Sequence, residues 1–185
     1  MKRIVVGVSG ASGALFALKT LEILQAEKDV ESHLVISKAA KLTIHLELGM
    51  TAKELSKLAD TSYAEDNIAA GPASGSFRTN GMIIAPCSVN TLSAIAYGQA
   101  SSLLTRAADV TLKERRPLVL MVRETPLHAG HIKAMLAATQ IGAIIAPPVP
   151  ALYINPTSIE EMAKQTAARA LELLGVSSTT IRRWD

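Results

Sequence analysis

The residues best placed for chemistry near the start of the chain are glycines and serines. The apolar run Ile4-Val5-Val6-Gly7-Val8 passes directly into Ser9-Gly10-Ala11-Ser12-Gly13-Ala14. Gly7, Gly10 and Gly13 allow tight turning and close approach of backbone to a ligand. A helix starting at Ala14 would aim its free N–H groups and the positive end of its dipole at an anion. Ser9 and Ser12 add hydroxyl donors at the same place. The spacing is G-x-x-G-x-x-G, whereas dinucleotide folds carry G-x-G-x-x-G and Walker loops end in Lys-Ser/Thr. A phosphorylated ligand is therefore better supported than NAD or ATP, with a plain strand-to-helix turn as the bland alternative.

A second set consists of cations and a phenol. Arg106, Lys113, Arg123, Tyr153 and Arg169 could hold a phosphate, because guanidinium forks, ammonium groups and a phenolic O–H all match its oxygens. They are far apart in sequence, so folding or oligomer assembly has to gather them. Arg123 comes straight out of an apolar strand, while Arg115 and Arg116 read as a solvated helix end favoured by the macrodipole. Glu47 closes a helical stretch, where a carboxylate is disfavoured, and that hints at a use. His128 and His131 could pair on a metal, but only Glu124 offers a third ligand nearby, so they read as surface or capping residues. Cys87 reads as a small buried thiol. No aspartate cluster exists to hold magnesium on a diphosphate, so no metal is expected and phosphate chemistry would rest on cationic side chains.

These residues need a scaffold that brings loops to one rim. Short apolar runs at Ile4 to Val8, His33 to Ile36, Met82 to Ala85, Leu118 to Val122 and Ala143 to Ala146 read as buried strands. Helical patterns lie between them at Ala14 to Glu27, Lys38 to Leu48, Thr91 to Tyr97, Leu103 to Glu114, His131 to Gln140 and Ile159 to Leu174. The alternation predicts an α/β fold, a single domain over residues 1–185 with a doubly wound, mainly parallel sheet. In such sheets ligands sit beyond the carboxyl ends of the strands. Ser9 to Gly13, Ser37-Lys38, Pro86 to Asn90 and Arg123-Glu124 each follow a strand and so belong to one rim. Asp60 to Arg78 reads as a long loop, a lid or a subunit contact.

Composition narrows the function classes. Of 185 residues 49% are hydrophobic, yet no apolar stretch is long enough to cross a bilayer, and no signal-peptide pattern precedes the first strand. A cytoplasmic protein is expected. A net charge of +3 and 3% aromatic residues argue against nucleic acid, and the single cysteine excludes an intrachain disulfide. Y-x-x-x-K is absent, and Ser37 stands where an NAD site would want an acid.

Gly10-Ala11-Ser12-Gly13-Ala14, Ile36-Ser37-Lys38-Ala39-Ala40, Ser74-Gly75-Ser76, Pro86-Cys87-Ser88, Arg106-Ala107-Ala108-Asp109-Val110, Leu112-Lys113-Glu114 and Arg123-Glu124 recur as a set. With Tyr153, Arg169 and the closing Arg182-Arg183-Trp184, this set resembles the UbiX-type flavin prenyltransferases over nearly the whole chain, which implies a Rossmann-like fold of the flavoprotein type. The resemblance implies transfer of a dimethylallyl group from dimethylallyl phosphate to N5 and C6 of reduced FMN without a metal, in a homododecamer, giving a cofactor for a UbiD-type decarboxylase. It also implies an FMN site at Gly10, Ala11, Ser12, Ser37, Ser88, Val89, Asn90, Thr91 and Arg123. Tyr153 and Arg169 would bind the prenyl phosphate, with Arg106, Lys113 and Glu124 around it and shared across subunits. Ser12 and Glu47 would handle the proton lost from flavin C6, and Lys113, Arg123 and Glu124 complete the expected catalytic set. Where the family usually carries a proline before Arg-Glu and His-Leu-Glu-Asn in the next helix, this chain has Val122 and His131-Ile132-Lys133-Ala134. Two alternatives are a flavoprotein that stores or delivers FMN without catalysis and an oxidative decarboxylase of cysteine thiolates. The latter is disfavoured because the early helix lacks a histidine.

Overall fold

In the computed structural model, which describes residues 1–177 and 181–183, the first apolar run becomes strand β1 (Lys2–Val8), buried from Ile4 onward. Trp184 of the closing motif lies outside the described residues. Strand β1 is flanked in parallel by β2 (Val30–Ile36) and β4 (Gly81–Cys87). Beyond them lie β3 (Thr61–Tyr63) next to β2, β5 (Leu118–Val122) next to β4, and β6 (Ala143–Ile145) next to β5. The six-stranded sheet is parallel throughout, in the order β3-β2-β1-β4-β5-β6. The order reverses between β1 and β4, which is where such a sheet opens a crevice at its carboxyl ends.

Side-chain alternation divides the core between two helical layers. Ile4, Val6 and Val8 face α1 (Ala14–Ala26), α2 (Lys38–Leu48) and α7 (Ile159–Glu172), whereas Val5, Met82 and Ile84 face α4 (Val89–Ala96), α5 (Leu103–Lys113) and α6 (Ala129–Gln140). Helix α1 buries Ala14, Ala17, Leu21 and Leu24, the spacing of one helical face. Each large side chain fully withdrawn from water contributes about 1.5–3 kcal/mol, so this inner stripe holds the helix more firmly than its local propensity does. Gly7 sits within β1, and a Cβ there would lie 3.2 Å from both Ile84 and Met82. Its absence makes room for core packing, which corrects the expectation that Gly7 serves the turn.

The stretch expected to be one long loop holds more structure. A short helix, α3 (Ala52–Ser56), precedes β3, and β3 itself falls inside Asp60 to Arg78. Asp60 closes on Ser32, accepting from its N–H and its hydroxyl at 2.8 Å each. His33 is buried; its Nδ1 lies 3.0 Å from the Tyr63 hydroxyl and its ring meets Phe77 edge-on. These contacts hold an edge strand too short to announce itself by period.

Candidate functional site

The turn between β1 and α1 is built by its neighbours as much as by its own residues. At Gly10 an added Cβ would stand 2.4 Å from the Ala39 Cβ, so only glycine lets the first turn of α2 come this close. Gly13, at φ +110°, occupies the N-cap of α1 and offers no side chain to cap it. Ser9 does not face a ligand, contrary to the expectation from sequence. Its buried hydroxyl donates to the Pro86 carbonyl at 2.9 Å and accepts the Ser88 N–H at 2.7 Å, pinning the β1 and β4 loops together. Ser9→Ala leaves both partners without that bond and is expected to lower stability by about 1–3 kcal/mol, read from urea unfolding.

Glu47, near the end of α2, supplies the cap that Gly13 lacks. One carboxylate oxygen accepts the N–H groups of Gly13 and Ala14, each at 2.8 Å. The electrostatic oddity of an acid in the last turn of one helix is thus resolved by the first turn of another. Partial burial opposes its charge, but the Ser12 hydroxyl, the two N–H groups and the Arg123 guanidinium prevail, and the carboxyl is held below its ordinary range. Ser12 therefore stands beside a carboxylate that is ionised at neutral pH.

Four strand ends converge on one cleft of about 740 Å³. Gly10, Ala11 and Ser12 reach it from β1, Ser37 from β2, Ser88, Val89, Asn90 and Thr91 from β4, and Arg123 and Glu124 from β5. Ser37 caps α2 by accepting the Ala40 N–H, and Ser88 caps α4 by accepting the Thr91 N–H. Sequence reasoning missed the opposite wall, where Glu65, Gln99, Ser101, Ser102 and Thr105 line the same space. Ser102 and Thr105 form a capping box at the start of α5, and the S-x-x-T spacing before the apolar Leu103-Leu104 was the available signal. Glu65, whose carboxylate accepts the Lys38 N–H at 2.6 Å, had none.

Tyr153 and Arg169 line a different cleft, of about 220 Å³, with Met121, Ala146, Pro147 and Arg182 among its walls. Met121 ends up here and Arg123, two residues later, in the first cleft, so the exit of β5 separates the two. Arg169 pairs with Glu172 at 3.2 Å and stays largely exposed. Arg106 and Lys113 line neither cleft: Arg106 pairs with Asp109 at 2.6 Å and Lys113 with Glu114 at 2.5 Å. Within one chain the expected phosphate-binding set is not gathered. Cys87 is fully buried, and burial pushes its thiol far above the ordinary range, so it is no nucleophile. His128 caps α6 by accepting the Gly130 N–H, in line with the capping expectation.

Comparison with known proteins covers this chain from end to end. The Flavoprotein family profile covers residues 1–174. The flavin prenyltransferase UbiX of Escherichia coli K12 is 51% identical over 187 aligned positions, spanning 100% of this chain and 99% of its own length. The chain belongs to the Flavoprotein family, among its UbiX-type flavin prenyltransferases. AnUbiX, solved in complex with FMN and dimethylallyl pyrophosphate, superposes with a TM-score of 0.97 at 46% identity, covering 100% of this chain and 97% of that one. A dodecameric FMN-dependent UbiX-like decarboxylase from Escherichia coli O157:H7 gives a TM-score of 0.96 at 44% identity, with 99% of each chain covered.

Against the flavin prenyltransferase pattern, the two departures noted in sequence fall away from the floor of the first cleft. Val122 is the buried last residue of β5, and His131 to Ala134 form the early turns of α6, where Ile132 is exposed. Neither replaces a residue lining the cleft. The family assignment rests on the profile match over residues 1–174 and on the identity that extends over the full chain.

Proposed function

We propose that this chain transfers the dimethylallyl group of dimethylallyl phosphate to N5 and C6 of reduced FMN, releases phosphate, and yields prenylated FMN for a UbiD-type decarboxylase. The observation that carries the reading is the cleft at the reversal of strand order, where the Gly10 to Ser12 turn, the Ser88 to Thr91 cap and Arg123 face one space. The cleft suits FMN in size and in donors. Its hydroxyls, the N-terminal ends of α4 and α5 and one guanidinium match a phosphate, a polyol and ring carbonyls. When bound, reduced FMN supplies the electron-rich atoms that take the prenyl group.

The remaining chemistry falls to side chains of this chain. Glu47, ionised and hydrogen-bonded to Ser12, accepts a proton through the Ser12 hydroxyl. Losing an allylic phosphate requires stabilisation of the departing anion, which the Arg169 guanidinium, the Tyr153 phenol and the cations Arg106, Lys113 and Arg123 provide as preorganised donors, with Glu124 beside Arg123. Because Arg106 and Lys113 lie outside both clefts of their own chain, we read them as serving the site of a second copy in a homododecamer. Leu42 and Leu46 on α2 and Ile132 and Leu136 on α6, each more than half exposed, supply apolar surface for such an assembly. Among the described residues no helix is long and apolar enough to cross a membrane, and a cytoplasmic location accompanies this reading.

Anaerobic incubation with reduced FMN and dimethylallyl phosphate is expected to give a flavin heavier by one prenyl unit in mass spectrometry, with phosphate released in step. Retention of unmodified flavin without phosphate release would instead establish a carrier. That result would end the prenyltransferase reading.

A further inference from the structure

The 71–79 segment, which overlaps the end of the Asp60 to Arg78 stretch read in sequence as a lid or a subunit contact, is fastened along α5. A 3-10 turn at Gly71–Ala73 packs on that helix, and the Ala73 carbonyl accepts from Arg106 Nε at 3.2 Å. Farther along, Arg116 reaches back beneath the loop. Its Nη2 donates to the Gly75 carbonyl at 2.8 Å, and its Nη1 donates to the Phe77 carbonyl at 2.9 Å and to Thr79 Oγ1 at 3.3 Å. Only 16% of the Arg116 side chain remains exposed. This corrects the expectation of a solvated helix end, since both Nη groups of Arg116 donate to one loop while Nη2 also lies 3.8 Å from Glu114 Oε2.

The loop is held where it touches Lys113. A Cβ at Gly75 would lie 2.3 Å from Glu114 Oε1 and 2.8 Å from Lys113 Nζ, so the bare backbone at Gly75 closes directly over the Lys113–Glu114 pair. Arg106 and Lys113 stand about two turns apart on α5, and the same loop contacts both. A lysine on its four-carbon stem samples many rotamers unless its surroundings restrict them, and binding an anion then costs that freedom.

We infer that the 71–79 loop is a brace that presets Arg106 and Lys113 for the prenyl phosphate, with Gly75 and Arg116 as positioning residues. The inference rests on the reading that Arg106 and Lys113 bind that phosphate. Neither Gly75 nor Arg116 lines the cleft assigned to FMN. The Gly75→Ala variant tests it cleanly, because the atoms nearest the added methyl are the movable ends of Glu114 and Lys113.

With reduced FMN saturating, Gly75→Ala is expected to raise KM for dimethylallyl phosphate about tenfold while kcat changes by less than about threefold. Its affinity for FMN and its thermal midpoint should match the parent. Arg116→Ala should shift KM the same way, and the double variant should be no worse than the poorer single one, since both act through one contact. An unchanged KM in Gly75→Ala, or a loss of FMN affinity in step with KM, overturns the brace. If the parent protein itself makes no prenyl adduct, it is the prenyltransferase reading that has failed.

Discussion

Glu47→Gln is expected to slow prenyl transfer by on the order of a hundredfold or more while the protein keeps nearly all its stability. The glutamine carbonyl can still accept the N–H groups of Gly13 and Ala14, which the carboxylate holds at 2.8 Å each, but it cannot take up a proton relayed by Ser12. Glu47→Ala should lose activity to a similar degree and also leave the start of α1 uncapped, at a cost of about 1 kcal/mol. Acid separates the two roles. The folded-state carboxyl lies below its ordinary range, so its stabilising contribution is complete above the ordinary carboxylate value and disappears as pH falls through the lowered folded value. Thermal unfolding should therefore show the parent losing its advantage over Glu47→Ala in acid, whereas Glu47→Gln keeps a constant offset from Glu47→Ala across the same range. Full activity in Glu47→Gln would confine this residue to capping.

Arg169→Ala should divide the site. Arg169 lines the smaller cleft with Tyr153, on the other side of the β5 exit from Arg123. Removing its guanidinium is expected to lower kcat/KM for dimethylallyl phosphate by on the order of a hundredfold, as the loss of a charged donor to a departing anion does. FMN affinity, measured by quenching of flavin fluorescence, should stay within about twofold of the parent, a change of no more than about 0.4 kcal/mol. Folding should also be little affected, because the side chain is largely exposed and its partner Glu172 retains Arg183. Parallel loss of flavin and prenyl phosphate would show that the two clefts work as one site.

Much of the scaffold was legible because its signals are local. The runs at Ile4, His33, Met82, Leu118 and Ala143 became parallel strands, and each expected helix formed with boundaries shifted by a few residues at most. Strand β3 escaped because three residues carry no period, and its support comes from Asp60 on Ser32 and from Tyr63 on His33, which are distant in sequence. The same distinction runs through the site. Gly10, Ser37, Ser88 and Arg123 share a cleft because each follows a buried strand, and the sheet delivers all such positions to one rim. Ser9 and Arg116 have the residue types of ligand and surface groups, yet both are held by main-chain carbonyls on remote loops. Nothing in a linear pattern announces a carbonyl waiting at Gly75. Arg106 and Lys113 share one face of a helix, a placement that spacing conveys, but the fold turns that face toward the 71–79 loop.

The carboxylate seated on α1 has a consequence for redesign. A helix mouth that opens after glycines invites the engineer to install a nucleotide by rewriting the turn, but here the vacancy is illusory: a fixed negative charge from the adjacent helix already sits where a diphosphate would dock. Altering the glycine spacing alone would bring two like charges together, so any conversion toward a nicotinamide carrier has to begin by evicting Glu47.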